Sequence, residues 1–231
     1  MNIRDVLILS PHLDDAVLSA WCDLPGAVVA NLCTAVPPAG VVGDFDRTKG
    51  AMDGAAFMAA RLAEDRAALA LAGVGSRLEL GLLDAQYRDE PLDPDAIRAA
   101  LPRAERILAP AGLGGHPDHV AARDAALGTG VPVTLYADLP YAARVGWPAW
   151  VTGEAQRQHL VPEARWELFL AAIPARLNAR ALALDAGQRA AKERALRTYA
   201  TQFEVLNGGP LNRLLNPAVL GFEVRWDVSP A

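Results

Sequence analysis

Cysteine and histidine are both scarce in this 231-residue chain. Cys22 and Cys33 are the only cysteines. They fall in different expected elements and neither belongs to a metal-binding cysteine pair, so both are read as reduced core residues. No window of about 18 uncharged apolar residues occurs, and no transmembrane helix is expected. The start, Met1 to Asp5, lacks the basic region, apolar stretch and cleavage site of a signal peptide, which makes the cytoplasm the expected location. Positive charge is thin as well. The formal charge is −5, and Lys and Arg are spread out, which argues against a nucleic-acid groove. Internal repeats are absent, and the Ala-rich stretches read as helix composition rather than low complexity.

What the chain does have is apolar residues, 52% of the total, ample for a substantial core. Its length suits one domain over 1–231, with an α/β core over 1–138 and a C-terminal lid with completing elements over 139–231. Of four histidines, three fall in two short clusters. The first is Leu7-Ile8-Leu9-Ser10-Pro11-His12-Leu13-Asp14-Asp15. An apolar run that reads as a buried strand ends in a histidine and two acids. Carboxylates are almost never buried without a partner, and a divalent metal is the natural one here. The second cluster is His116-Pro117-Asp118-His119.

Apolar spacing and turn residues outline the elements. Strands are expected at Asp5–Ser10, Ala27–Thr34, Arg77–Gly81, Arg106–Ala109 and Val133–Ala137. Helices are expected to open at Asp14 and to cover Asp53–Ala72, Pro94–Leu101 and Pro117–Leu127. A Pro- and Gly-rich loop, Ala35 to Gly50, is long enough to suggest function. After Leu139 the pattern changes. The readings are a strand near Arg165–Leu170, a long helix from Pro174 to about Phe203, a turn at Asn207-Gly208-Gly209-Pro210 and a last strand over Gly221–Val228. The alternation implies an α/β, Rossmann-like fold: a mainly parallel sheet with helices on both faces, plus a C-terminal strand and long-helix extension.

In such sheets ligands bind at the carboxyl ends of the strands, where strand order reverses. The two clusters each follow a strand and should face each other. His12, Asp15 and His119 then form a ligand set of two imidazoles and one carboxylate. That set suits one Zn²⁺ with a position left for water, and Fe(II) as well. Asp14 is placed to accept a proton from that water. His116, at i, i+3 from His119, can reach the same site as a ligand; otherwise it is free to be protonated, to polarise a carbonyl, or to donate to a leaving amine. Asp118 can orient His116 through the second ring nitrogen. The bland readings are a helix cap for Asp14 and solvated surface histidines, but they leave the pairing of the clusters unexplained. Asp44, Asp46 and Arg47 in the long loop can bind hydroxyls or a charged group, or can simply solvate it. Trp147 and Trp150 can stack on a ligand or pack a lid.

The segments Pro11-His12-Leu13-Asp14-Asp15 and His116-Pro117-Asp118-His119 resemble the signature of the PIG-L/LmbE-like de-N-acetylases, zinc enzymes that remove acyl groups from amino sugars. The resemblance implies His12, Asp15 and His119 as zinc ligands, Asp14 as general base, and His116 as general acid and oxyanion stabiliser. Arg61 with Glu64-Asp65 resembles the family's Arg-x-x-Glu stretch near the substrate, and Asp84 resembles an acid that contacts sugar hydroxyls. Lys192, Tyr199 and Gln202 resemble a C-terminal pattern for which packing is expected. Leu13 replaces the usual proline. Gly114 and Gly115 stand where some members carry an oxyanion-holding Tyr, a place that Tyr87 or Tyr141 can reach from the loops. The implied partner is a small N-acylated amino sugar or glycoconjugate. A deacylase of a non-sugar amide, a non-catalytic zinc- or sugar-binding module and a phospho-receiver domain are the competing readings. The last lacks a phosphorylatable Asp on a middle strand and a late Lys.

Overall fold

The computed structural model describes residues 2–153, 162–208 and 214–229. Its centre is the apolar run of the first cluster. Leu7, Ile8 and Leu9 are fully buried, as a strand covered on both faces must be. They belong to β1 (Asn2–Ser10), which pairs in parallel with β2 (Val28–Asn31) on one side and β4 (Arg103–Pro110) on the other. β3 (Ser76–Glu79) extends the sheet beyond β2, and β5 (Val133–Tyr136) extends it beyond β4. Two antiparallel strands finish it, β7 (Phe222–Ser229) against β5 and β6 (Arg176–Ala183) against β7. The order is β3-β2-β1-β4-β5-β7-β6. Succession runs outward from β1 through β2 to β3, then restarts at β4 and runs the other way. The switch point therefore lies between the ends of β1 and β4.

Apart from one short helix that forms inside the expected loop, the connecting helices follow the expected ranges closely. They are α1 (Asp15–Ser19), α2 (Asp44–Thr48) inside the long loop, α3 (Gly54–Leu71), α4 (Pro94–Ala100) and α5 (Pro117–Leu127). α3 starts where Asp53 accepts the Ala56 N–H, and α4 where Asp93 caps ahead of Pro94; both are ordinary helix-start chemistry. Right-handed crossovers running in opposite directions from the centre put their helices on opposite faces. Beyond β5 come α6 (Tyr141–Val145), α7 (Ala149–Thr152), α8 (Pro162–Leu170) and α9 (Ala186–Leu196). Among the described residues no helix is long and apolar enough to cross a membrane.

Two expectations for the C-terminal part are corrected. The segment Arg165–Leu170 is helical, not a strand. Trp166 is buried while Phe169 and Leu170 are half-buried and Glu167 and Leu168 are exposed, a spacing of three and four rather than two. The single long helix over Pro174–Phe203 is instead β6 followed by α9. The Ala- and Arg-rich stretch favours a helix locally. Pairing of all eight β6 residues with β7 overrides that preference. α9 begins only at a capping box, where Asp185 accepts the Gln188 N–H and Gln188 accepts the Asp185 N–H. The turn residues Gly209 and Pro210 lie outside the described residues.

Candidate metal centre

β1 releases the chain into a tight loop that presents His12, Asp14 and Asp15. Ser10 Oγ donates to the His12 carbonyl (2.6 Å) and accepts the Ala16 N–H (3.1 Å). The Cys33 N–H holds the Pro11 carbonyl at 3.0 Å. Asp15 Oδ2 accepts the His12 N–H at 2.8 Å. Across the switch point, the Gly-rich turn after β4 delivers His116 as the N-cap of α5 and His119 in its first turn. Gly114 has φ +88°, and a Cβ there would lie 2.7 Å from the Tyr141 ring. The turn therefore needs glycine both for its backbone and for the ring packed against it.

Three donor atoms converge. Asp15 Oδ2 is 3.3 Å from His12 Nδ1 and 3.2 Å from His119 Nε2, and the two nitrogens are 3.3 Å apart. Ligand bonds of about 2.0–2.1 Å at the tetrahedral angle separate donors by about 3.3 Å. The side chains are thus spaced as the edges of a metal's coordination shell, and a metal cofactor fits them. The outer nitrogens are tied as metal-ligating histidines usually are. His12 Nε2 lies 3.1 Å from Asp118 Oδ2, and His119 Nδ1 lies 2.6 Å from Asp138 Oδ1. These contacts assign the protons to the outer nitrogens and turn the other lone pair of each ring inward. Asp118 also accepts the Ala85 N–H (3.2 Å) and pairs with Arg88.

The electrostatics match a site suited to a cation. Burial alone would lower the pKa of His119, but Asp15 and Asp138 outweigh it and raise it to about 9. His12 is likewise raised, against burial, by Asp15, Asp84 and Asp14. Asp15 is held well below the usual carboxylate range, burial notwithstanding, by His119 and His12. Asp14 goes the other way: burial and the neighbouring Asp15 raise it. Asp14 occupies the N-cap of α1 but makes no capping hydrogen bond, so the cap reading does not account for it.

His116 completes the group, with its ring nitrogen within 4.8 Å of those of His12 and His119. Its Nδ1 accepts the Asp118 N–H at 3.3 Å, leaving Nε2 to carry a proton. Burial, with His12 and His119, lowers its pKa to about 4. The Asp118 carboxylate, expected to orient His116, is instead engaged with His12, the Ala85 N–H and Arg88, and His116 meets the Asp118 backbone N–H.

A cavity of about 300 Å³ opens beside these groups, lined by Asp14, His116, Arg61, Asp84, Tyr141 and Gln202 among others. Arg61 is buried; its Nη1 is 3.8 Å from Asp46 and 3.9 Å from Asp84, and its Nε makes no hydrogen bond. Asp84 also accepts the Gln86 N–H at 3.1 Å. Asp46 is buried behind the lining, where it accepts the Tyr87 hydroxyl (2.6 Å) and the Gln86 side chain (3.2 Å). Arg47 is not brought in. It is exposed and pairs with Asp44 at 2.7 Å. Tyr141 lines the cavity 5.4 Å from the His119 ring, whereas Tyr87 is spent on Asp46. Trp147 is buried, donates to the Val219 carbonyl (3.2 Å) and packs 5.6 Å from Trp166. Trp150 is half-exposed with its edge on Trp166. Both pack the lid. A larger cavity at the opposite ends of the strands, beside Val6, Pro25 and Glu105, holds none of these residues. Asp138 was missed from sequence, although it carries the same signal as the first cluster: an acid directly after a buried strand.

No protein-family model matches the chain. A 2'-N-acetylparomamine deacetylase of Streptomyces fradiae is 32% identical over 167 residues, which is 60% of this chain and 58% of the relative. The chain thus spans under two thirds of that curated relative. The zinc-inhibited form of teicoplanin deacetylase Orf2 superposes with a TM-score of 0.71 at 28% identity, over 98% of both chains. The A40926 pseudoaglycone deacetylase Dbv21 does so with a TM-score of 0.68 at 28% identity, over 99% of this chain and 98% of the other.

Proposed function

We propose that this chain, one of the PIG-L/LmbE-like deacetylases that its two motifs resemble, is a metal-dependent hydrolase. It removes an acetyl or other acyl group from the amide nitrogen of an amino sugar carried on a small molecule or glycoconjugate. The observation that carries this reading is the spacing of His12 Nδ1, Asp15 Oδ2 and His119 Nε2 at 3.2–3.3 Å beside an uncapped Asp14. One Zn²⁺ is the ion assigned to that set, which Fe(II) would also suit.

A divalent ion at that position would polarise the amide carbonyl and lower the pKa of a water. Asp14, its basicity raised by burial, takes the proton of the water as its oxygen bonds to the carbonyl carbon. Neutral His116 donates from Nε2 to the developing oxyanion, and Tyr141 is the phenol placed beside that ring. Breaking the C–N bond needs a proton on the leaving nitrogen, which Asp14 returns. The carboxylic acid and the free amine are the products. Arg61 and Asp84 are the cavity groups assigned to sugar hydroxyls.

The test combines metal analysis with an amine-release screen over N-acetylated sugars, aminoglycosides and glycolipid headgroups. Asp14→Asn should keep its metal and lose on the order of 10²–10⁴ in turnover. A metal-loaded Asp14→Asn enzyme near the wild-type rate overturns the role of Asp14. Bound metal without amine release from any substrate favours a binding module instead.

A further inference from the structure

In the ligand loop, Leu32 N–H holds the Ser10 carbonyl, Cys33 N–H that of Pro11, Ser10 Oγ that of His12, and Leu18 N–H that of Asp14. The Leu13 carbonyl is held differently, by the hydroxyl of Tyr199 at 3.0 Å, from the segment after α9. The same hydroxyl is 3.0 Å from Asp65 Oδ1 on α3, and Asp65 Oδ2 accepts the Asn31 amide at 2.7 Å from the end of β2. All four residues are closed to solvent.

The proton count decides how this chain is wired. Tyr199 has one hydroxyl proton and two acceptors within reach. If it donates to Leu13, Asp65 must carry a proton of its own and donate to the phenol oxygen. Ionised Asp65 would instead take the Tyr199 proton and leave the Leu13 carbonyl facing an oxygen lone pair. We propose that Tyr199 and Asp65 are positioning residues: neutral Asp65 fixes Tyr199, Tyr199 fixes the Leu13 peptide, and that peptide sets the carboxylate of Asp14 beside it. This inference rests on Asp14 being the base of the proposed hydrolysis.

Burial favours the neutral acid and raises Asp65 to about 7, against its bonds from Tyr199 and Asn31. The charge of Asp14, from the ligand loop, pushes the same way, and that of Arg77, from β3, opposes it. On α3 itself, Glu64 is turned away to Thr201 (2.7 Å), and Arg61, one turn before Asp65, faces the cavity. The phenol stays protonated, since burial and Asp65 raise it well above its ordinary range. The sign follows. Turnover gains from this strut below neutrality and loses it as pH rises through the Asp65 transition, while metal content stays constant.

Tyr199→Phe and Asp65→Asn, each loaded to the same metal stoichiometry as wild type, test this through kcat and KM against pH. Tyr199→Phe should lose at least about tenfold in kcat with KM nearly unchanged, because a slightly misplaced base is costly. Asp65→Asn reproduces the neutral acid, donating to Tyr199 and accepting from Asn31, and should keep kcat past the pH at which wild type declines. In the metal-free protein, the ¹³C carboxyl signal that vanishes in Asp65→Asn should titrate near 7. Profiles that superimpose on wild type overturn the proposal. So does a Tyr199→Phe protein that is merely less heat-stable, or an Asp65 that titrates like a free carboxylate near 4. If wild type itself releases no amine, the hydrolase reading fails, whereas the carboxyl titration still decides the proton arrangement.

Discussion

Two clusters of buried charge sit on this sheet, and they are neutralised in different ways. In the first, Glu223 has Lys192 at 2.6 Å and Arg225 at 2.7 Å, and takes the backbone N–H groups of Trp21 and Cys22. Arg225 adds Asp23 at 2.8 Å and the Ser19 carbonyl at 2.9 Å. Every charge has a covalently anchored opposite, and this cluster ties β7 to the end of α1. In the second, Asp14, Asp15 and Asp138 surround histidines whose only positive charge is a titratable proton. Buried charge compensated by fixed partners becomes structure. Compensated by something that can be exchanged, it becomes a site.

The contrast breaks most visibly when the exchangeable cation is withdrawn. Chelation should abolish amine release while leaving the far-ultraviolet circular dichroism intact, since the Glu223 cluster needs no metal. Next in size, Glu223→Gln should cost about 3–5 kcal/mol by stranding Lys192 in the interior and leaving Arg225 with the Asp23 carboxylate alone, read as a fall in the denaturant midpoint with unchanged metal stoichiometry. A smaller effect is expected at the other cluster. Asp138→Asn should weaken metal affinity about 10–100-fold by loosening His119, measured by chelator competition, with little loss of fold. The subtlest difference is one of sign with pH in the metal-free protein. Glu223 has its pKa lowered to about 2, against burial, by Lys192 and Arg225. Its contribution is present above the unfolded value near 4.3 and lost as pH falls through about 2. His119, raised to about 9, contributes fully below about 6.5 and loses that contribution as pH climbs through about 9. Melting temperatures against pH for Glu223→Gln and His119→Asn should therefore depart from wild type at opposite ends of the scale.

Legibility followed how local the determining physics was. The parallel core was readable because runs such as Leu7-Ile8-Leu9 are buried on both faces and need no partner to be recognised. α3 was readable from its length and its Asp53 cap. β6 was not, because Ala and Arg there favour a helix and only the backbone of β7 makes a strand the better solution. Residue type and strand-end position singled out His12, Asp15 and His119, whose donor atoms the fold brings within 3.2–3.3 Å of one another. Asp138 carried the same signal once and without a neighbour. Arg47 and Asp46 were indistinguishable in sequence, yet α2 turns one outward to Asp44 and buries the other against Tyr87.

By itself, then, the sequence determined which side chains had to be reconciled with a buried strand end, and in consequence the kind of ion that could do it. Ligand type and strand adjacency are properties of a few consecutive residues. Only the tertiary structure decided who orients whom: Asp118 on His12 rather than His116, Asp138 on His119, and Tyr199 on Leu13 from 186 residues away. Hydrogen bonds across a sheet are fixed by how distant segments pack, and a proton shared between such segments belongs to the packing rather than to any motif.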